Sequence, residues 1–264
     1  PQTVVLPAMN GVPWWFSACC PALGPAPLDS VDPAGRIAAA IPLRQVLGCV
    51  VHASALTPEP GLVQHARGQG LIIGEPAGGA SDRVAQTARY LRAAGFDVTE
   101  SGHLRQDLWY KLWGNLTMNP VSAITGATID RLLADRLVRD FCTAAMIEAA
   151  RLGEQLGCTI TQTPEDRHRL TEQLGAFKTS MLQDVEAGRS VELDALVASV
   201  RELGQLTGVA TPFTDALLGL ARLARSPDVD EGRRQQYIEQ ISESAETLSG
   251  ILSDILDLSK IEAG

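Results

Sequence analysis

The sequence has no basic cluster and no long apolar run. Its 264 residues carry 22 lysines and arginines against 31 aspartates and glutamates, a net charge of −9, so a nucleic-acid-binding surface is not expected. No apolar run approaches the roughly eighteen residues that a transmembrane helix needs, which predicts no membrane span. No signal peptide is visible at the start. These absences exclude the simplest nucleic-acid and membrane roles.

Metal-binding spacings are also absent. The cysteines are odd in number, two of them are adjacent, and no pair has the spacing of a zinc site. The four histidines are scattered. The sequence therefore predicts no metal site, and free thiols in a reduced, cytoplasmic setting are the simplest account of the cysteines. They are Cys19, Cys20, Cys49, Cys142 and Cys158.

The composition is that of a globular protein, 45% hydrophobic and 20% charged. Residues 1–102 have an α/β pattern, and residues 103–225 change to helical periodicity. Residues 226–264 follow a Ser-Pro-Asp break and form one amphipathic pattern. The predicted fold is a partial Rossmann-type α/β nucleotide-binding domain, then an all-α helical substrate domain, then a C-terminal amphipathic helix.

The first region predicts strands, turns and helices from β-branched runs and Gly or Pro punctuation. Strands are expected at 3–8, 46–55, 62–65, 71–73 and 96–99. The strands at 62–65 and 71–73 flank Gly68 and Gly70 and are expected to form a hairpin. Helices are expected at 13–20 and 81–94, the second with Ser81 as its N-cap.

The second region predicts helices near 104–118, 130–156, 164–187, 190–207 and 212–225. Gly157, Gly188 and Gly208 fall where C-terminal stops are expected. Thr163 followed by Pro164 is typical of a helix start.

The stretch KLWGNLTMN places Lys111, Asn115 and Asn119 at spacing four and four, on one face of a helix. A cation and two amides on an apolar helix cost desolvation energy unless they have partners, and a substrate with a carbonyl and a carboxylate is one such partner. Pro120 predicts a helix end or kink at Asn119. Alternatively, Lys111 reaches solvent and the two amides satisfy backbone groups at a bend.

Six segments, in order across about 85% of the chain, resemble the ketopantoate reductase (2-dehydropantoate 2-reductase) family. The segments are MNGVPWW, GCVVHASA, GLIIGEP, KLWGNLTMNP, SMLQD and VELDAL. The resemblance implies NADPH-dependent reduction of a 2-keto acid, ketopantoate, to a 2-hydroxy acid in the pathway to pantothenate and coenzyme A.

Within that resemblance, Lys111 is the general acid that protonates the developing alkoxide. Asn115 and Asn119 match family positions that hydrogen-bond the substrate, and Ser180 matches another substrate contact. Asn10 matches a residue that lies where substrate and cofactor meet. The alternatives are that Asn10 serves only an Asn-Gly turn and that Ser180 bonds back to its own helix.

Two further positions are implied on the cofactor side. Glu192 matches a cofactor contact, and Ser54 falls where the backbone faces the nicotinamide. Glu192 could instead favour a helix N-terminus electrostatically.

The chain departs from the family in lacking the GxGxxG phosphate loop that opens its nucleotide-binding domain. Gly68, Gly70 and Gly74 are too widely spaced and precede no predicted helix. We therefore expect an unpaired sheet edge, weak or absent NADPH binding and little turnover from these 264 residues.

The tail resembles the second helix of the dimerisation and phosphotransfer domain of sensor histidine kinases, above all in DILDLSKIEAG. Its apolar positions, three and four apart, form a short heptad seam that favours a partner helix, either in the same chain or in a dimer. A homodimer is expected through this helix or through the helical domain. No histidine follows His168, so kinase chemistry is not expected of the tail. The alternatives are a two-component signalling fragment with a ligand-sensing or vestigial reductase part, an artefact of gene assembly near Ser226, and a generic amphipathic helix. The seam positions are Ile238, Ile241, Ala245, Leu248, Leu252 and Ile255.

Overall fold

The computed structural model describes residues 3–224. The chain separates into two compact units, residues 1–221 and residues 222–264. The first contains a small sheet followed by a helical region. The heptad seam and the C-terminal amphipathic helix predicted for 226–264 lie outside the described residues. Within the described range, no helix is both long and apolar enough to cross a membrane.

A three-stranded mixed sheet forms the α/β part. Its strands, in the order β1-β2-β3, are β1 (Gly48–Glu59), β2 (Leu62–Gly74) and β3 (Asp97–Ser101). The first pair is antiparallel and the second is parallel. A parallel pair needs a crossover, and the helix Asp82–Ala93 supplies it. The Ser81 hydroxyl accepts from the Val84 amide at 3.3 Å, which confirms the predicted N-cap.

The strand expected at 3–8 does not form. Two isolated bridges, at Val5 and at Ala8, join this stretch to the chain at and just before β1. Pro7 lies between them and has no backbone N–H to donate, so a continuous ladder is interrupted. The apolar run correctly indicated that this stretch pairs with another segment, but the prediction of a regular strand was wrong.

The hairpin expected about Gly68 and Gly70 is also wrong. Residues Leu62–Gly74 form one strand, and the chain reverses at Gly61, whose φ is +86°. Gly68 instead marks a register shift in the β1–β2 ladder. Its φ is +70°, and a Cβ there would meet the His52 carbonyl oxygen at 2.4 Å. A glycine inside a strand pattern can mark a bulge rather than a turn.

Helices dominate the chain after β3, as predicted. In chain order the α-helices of the described part are α1 (Arg36–Ala40), α2 (Asp82–Ala93), α3 (Leu104–Thr125), α4 (Ile129–Ala134), α5 (Arg136–Gln155), α6 (Pro164–Glu172), α7 (Ser180–Glu186), α8 (Ser199–Thr207) and α9 (Pro212–Ala224). A π-helical stretch, Asp194–Ala198, leads directly into α8. The helix expected at 13–20 is reduced to one 3₁₀ turn, Ser17–Cys19.

Helix α3 does not end at Asn119. It continues through Pro120 to Thr125 and stops at Gly126, whose φ is +69°. Pro120 lacks the amide that would bond one turn back, but it is buried together with most of the helix around it. Tertiary packing therefore overrides the local signal, and Asn119 lies within the helix.

Two long predicted helices are each divided. Asp135 ends α4 and caps α5 by accepting from the Val138 amide at 3.1 Å. Residues 173–179 separate α6 from α7, and the Thr179 hydroxyl caps α7. Apolar periodicity continues across both breaks, which explains why periodicity alone joined the helices. The start of α6 is as expected, with Thr163 and Asp166 forming a capping box.

The main apolar core joins the segment after Asn10 to the helical region. Phe16 stacks on Trp109 with ring centroids 5.9 Å apart. Helix α3 packs against β1, α5 and α7. Helix α3 therefore contacts both the sheet and the other helices, and its Lys111 bonds to β1. The predicted division near residue 102 stays a prediction.

Candidate active site

Helix α3 is locked in place on both sides of Lys111. The indole of Trp109 donates to the Ala149 carbonyl at 3.1 Å, and that of Trp113 donates to the Met146 carbonyl at 2.8 Å. Both acceptors belong to α5. Buried indoles with satisfied N–H groups combine large apolar area with a directional bond. The backbone that carries Lys111 is therefore held firmly, and its side chain points out of this core.

The Lys111 ammonium is held by two neutral oxygens. Its Nζ donates to Asn10 Oδ1 at 2.7 Å and to the Val51 carbonyl on β1 at 2.5 Å. Neither partner carries a charge. An ammonium has three N–H donors, so one remains without an acceptor among residues 3–224. That donor is available to a ligand oxygen.

Asn10 is fixed from both ends of its amide. Its Oδ1 accepts from Lys111, and its Nδ2 donates to Glu192 Oε2 at 2.9 Å. The structure thus brings together three residues singled out in the sequence, Asn10, Lys111 and Glu192, from distant parts of the chain. The chain also bends at Asn10 and Gly11, and the hydrogen bonds of the Asn10 side chain show that it does more than shape this bend.

Gly11 is needed for this arrangement. Its φ is +77°, and a Cβ there would meet the Ala195 carbonyl oxygen at 2.3 Å. The next residue, Val12, donates its amide to that same carbonyl at 2.8 Å. The Asn10 turn is thereby docked against the π-helical stretch, close to Glu192. Only glycine combines this φ with this close approach.

Burial lowers the pKa of Lys111 below its ordinary value, and the Glu192 carboxylate partly offsets that effect. Cys49 does not contribute a charge at neutral pH, because burial raises the pKa of its thiol to about 11. The His52 pKa is lowered by burial and then by the nearby Lys111 and Arg167 cations. The centre is thus one partly buried ammonium, with an imidazole of lowered pKa and one carboxylate near it.

Asn115 and Asn119 follow Lys111 on the same face of α3. Asn115 is half-buried and Asn119 is 6% exposed. Across residues 3–224, neither side chain has a hydrogen-bond partner. The alternative that they satisfy backbone groups at a bend is wrong, since neither side chain bonds to a backbone group of residues 3–224 and α3 does not end there.

Ser180 and Ser54 are not drawn into the hydrogen-bonded group. Ser180 is the exposed first residue of α7, the helix that packs on α3. Ser54 is exposed on β1, three residues after Val51, and pairs across the ladder with Arg67. Both residues lie on elements that contact the site, α7 and β1, but neither side chain bonds to Asn10, Lys111 or Glu192.

Two groups near Lys111 were not predicted from the sequence. The Val51 carbonyl carries no side-chain signal at all. Arg167 of α6 lies across α3, where a Cβ on Gly114 would meet its Nη2 at 2.6 Å. The one available signal was Gly114 itself, because a glycine inside an otherwise apolar helix suggests that something approaches closely.

The group as a whole can stabilise and protonate an oxyanion. A partly buried ammonium among neutral dipoles is worth more to a developing negative charge than one already paired with a carboxylate. Within the described range, no group of three His, Cys, Asp or Glu side chains is arranged to hold a metal ion.

The chain matches two family models. Residues 103–225 match the C-terminal domain of ketopantoate reductase, PanE/ApbA. Residues 211–264 match the His Kinase A phospho-acceptor domain. Both resemblances expected from the sequence are thereby confirmed, and the two matched ranges overlap in α9.

Relatives match most of the chain. A 2-dehydropantoate 2-reductase from Mesorhizobium japonicum is 41% identical over 222 residues, which are 84% of this chain and 68% of that relative. One from Halobacterium salinarum is 28% identical, over 73% of this chain and 64% of its own length. The crystal structure of a provisionally assigned ketopantoate reductase from Ralstonia solanacearum has a TM-score of 0.81 at 55% identity, with 85% of this chain and 68% of that one covered.

These similarities define an oxidoreductase fold with a sheet region followed by a helical domain. The chain belongs to the ketopantoate reductase family. It spans about two thirds of the length of these relatives. A D-mandelate dehydrogenase solved with NADH shares the fold, with a TM-score of 0.70 at 18% identity.

Proposed function

We propose that this chain contributes to NADPH-dependent reduction of a 2-keto acid, ketopantoate, to the 2-hydroxy acid pantoate. The observation that carries the proposal is the Lys111 ammonium, partly buried, held by two neutral oxygens and left with one free N–H among the described residues. The family of the chain supports the reaction class. Ketopantoate and NADPH, rather than another keto acid or NADH, rest on the resemblance of the motifs.

Lys111 acts as the general acid. When bound, reduced nicotinamide supplies a hydride to the keto carbon. The C=O π electrons then move to the oxygen, which takes a proton from Lys111 Nζ, leaving a 2-hydroxy acid, an oxidised nicotinamide and a neutral amine. The ammonium stabilises the oxygen before the proton moves, so its charge serves the transition state.

Asn115, Asn119 and Ser180 bind the substrate in this proposal. The support is that the half-buried Asn115 and the buried Asn119 lie on the face that carries Lys111 and have no hydrogen-bond partner among residues 3–224. Their amide donors and acceptors are therefore available to a ligand.

Asn10, Glu192 and Ser54 form the cofactor side. The Asn10 amide and the exposed Glu192 carboxylate offer a donor and acceptors beside Lys111, which fits the carboxamide and ribose hydroxyls of a nicotinamide nucleotide. The phosphates require a glycine-rich loop of the kind these 264 residues lack. The proposed contacts therefore concern the nicotinamide end alone.

The test is pantoate formation from ketopantoate and NADPH by the 264-residue chain in excess, measured by mass spectrometry. We expect slow, NADPH-dependent product formation that falls at least about 100-fold in Lys111→Ala. Lys178→Ala is the matched control, since Lys178 is exposed and paired with Glu186. Absence of pantoate, or equal rates with and without Lys111, would contradict the proposal, and turnover at ordinary family rates would contradict the expected impairment.

A signalling role is the second candidate, and the match to the phospho-acceptor domain is what favours it. The matched residues contain no histidine to accept phosphate, so the role left to them is helix pairing in a homodimer, with the reductase-like part as a ligand sensor. A sensor needs binding without turnover. Sedimentation of the 264-residue chain and of residues 1–225 compares their masses, and equal monomer masses would contradict pairing through the tail.

A further inference from the structure

Arg167 is a cation without a carboxylate. Its Nη1 donates to the Tyr110 hydroxyl at 3.3 Å, and its guanidinium carbon lies 5.0 Å from the centre of the Tyr110 ring. Its Nε is buried and has no hydrogen-bond partner. Among residues 3–224, no acidic side chain forms an ion pair with it. Several N–H donors of the Arg167 guanidinium are therefore available to a ligand.

The guanidinium lies against α3 at Tyr110 and Gly114, on the stripe next to the one that carries Lys111 and Asn115. Tyr110 and Gly114, which it covers, immediately precede Lys111 and Asn115 on α3. His52 follows Val51 on β1, the strand to which Lys111 bonds. Arg167 is close enough to His52 to help lower the pKa of its imidazole. Both cations therefore lie near the same part of β1 and α3.

The guanidinium is positioned before any ligand arrives. Tyr110 donates its hydroxyl hydrogen to Gln162 Oε1 at 2.6 Å, which turns a lone pair of its oxygen toward Arg167. The guanidinium packs against the Tyr110 ring. It also occupies space at Gly114 that the methyl group of an alanine would fill. A positioned guanidinium loses little freedom when it binds an anion.

We propose that Arg167 binds the carboxylate of the 2-keto acid while Lys111 addresses its keto oxygen. This rests on the proposed function and extends it, by naming the residue that reads the acid end of the substrate. A planar guanidinium matches a carboxylate with two parallel hydrogen bonds. In a 2-keto acid the keto carbon is bonded directly to the carboxylate carbon. Two neighbouring cations therefore suit the keto oxygen and the carboxylate of one substrate.

The test is calorimetric binding to the full 264-residue chain, without cofactor, of three probes. Ketopantoate and benzoylformate are 2-keto acids, and ketopantolactone is a neutral ketone without a carboxylate. We expect Arg167→Gln to weaken both acids by at least about tenfold and to leave the lactone within about twofold. Arg167→Lys should recover only part of the loss, because an ammonium lacks the fork.

The matched control is Arg169→Gln on the same helix. Its side chain is 66% exposed and is paired with Glu165 and Asp166, so the same charge is removed without effect on any probe. Gly114→Ala is the second variant, since it keeps Arg167 and displaces its guanidinium. It should weaken both acids at an unchanged or higher thermal midpoint.

The outcomes separate the two proposals. Loss of benzoylformate binding in Arg167→Gln, with no ketopantoate binding to the wild type, would support the arginine and count against ketopantoate as substrate. Ketopantoate binding that survives Arg167→Gln would overturn the arginine and leave the reductase proposal standing. Equal loss of the lactone and the acids, or no binding of either acid to the wild type, would also overturn it.

Discussion

Two groups of basic side chains on α3, α5 and α6 have opposite surroundings. Arg139 on α5 bonds to Glu165 and Glu172, and Arg169 bonds to Glu165 and Asp166. Lys111 bonds to an amide and a carbonyl, and Arg167 to a phenol. The first group is neutralised by its own chain. The second is held by neutral oxygens and keeps its charge for a ligand.

The difference follows from where each group lies. The carboxylates that neutralise Arg139 and Arg169 are themselves largely exposed, and ion pairs of that kind contribute little to stability. Lys111 is mostly desolvated, which penalises its charge and lowers its pKa. A fold that keeps a partly buried cation without a directly bonded anion gives up stability at that point, as functional sites commonly do.

The largest expected effect comes from Lys111→Met. Turnover should fall by about 10²–10⁴-fold, because the proton donor and the charge that stabilises the oxyanion are both removed. The free energy of unfolding should not fall, since an apolar chain of similar length replaces a desolvated ammonium. Product formation and urea unfolding measure the two quantities on the same samples. A large loss of stability would mean that Lys111 is structural.

Arg139→Met tests the other side of the comparison. We expect unchanged ketopantoate affinity and a thermal midpoint lowered by only about 2 °C, because its ion pairs are screened by solvent. The difference from wild type should shrink as salt is raised. Thermal melts at low and high salt measure it. A loss of keto-acid binding would show that the two groups are not separate.

The family resemblance singled out Asn10, Lys111 and Glu192 through motifs that lie far apart, and the structure brings these three residues together; the role of Lys111 as general acid stays a prediction. The sequence could not predict the Val51 carbonyl, because a backbone oxygen leaves no mark in residue identities. Nor did it indicate Arg167, whose side chain reaches from α6 to Gly114 of α3. Helix α6 packs against α4 and α5, and such packing is not readable from the spacing within one helix.

The fold shows the same limit. The α/β-then-helical order and the caps at Ser81 and Thr163 follow from local chemistry and were correct. Pro120 and Gly68 were misinterpreted for one reason: each carries a local preference that tertiary contacts override. Pro120 is buried inside α3, and Gly68 allows two strands to approach at a register shift.

Gly114→Ala should have a smaller effect on the fold, and in the stabilising direction. Alanine is preferred to glycine inside a helix by about 1 kcal/mol, and the atoms that its methyl group would meet belong to the end of the flexible Arg167 side chain. We expect a gain of about 0.5–1 kcal/mol in the free energy of unfolding, measured in urea. A net loss would mean that Arg167 cannot move aside and is fixed by packing.

The smallest effects are expected in the pH dependence. Lys111 must be protonated to act, so the reduction rate should fall as pH rises through its pKa, which lies below 10.5. Glu192→Gln removes the carboxylate that holds this pKa up, so the fall should begin at lower pH. Glu186→Gln is the control, since Glu186 is exposed and paired with Lys178. Equal profiles for Glu192→Gln and wild type would contradict the coupling between Lys111 and Glu192.

Stability should respond in the opposite direction to the same titration. Between the lowered pKa of folded Lys111 and 10.5, the unfolded chain binds more protons at this residue. The contribution of Lys111 to the free energy of unfolding therefore rises with pH through that window. Subtracting the pH profile of Lys111→Met isolates it from other groups. A flat difference would show that Lys111 is solvated in the folded chain, and its surroundings would then resemble those of Arg139.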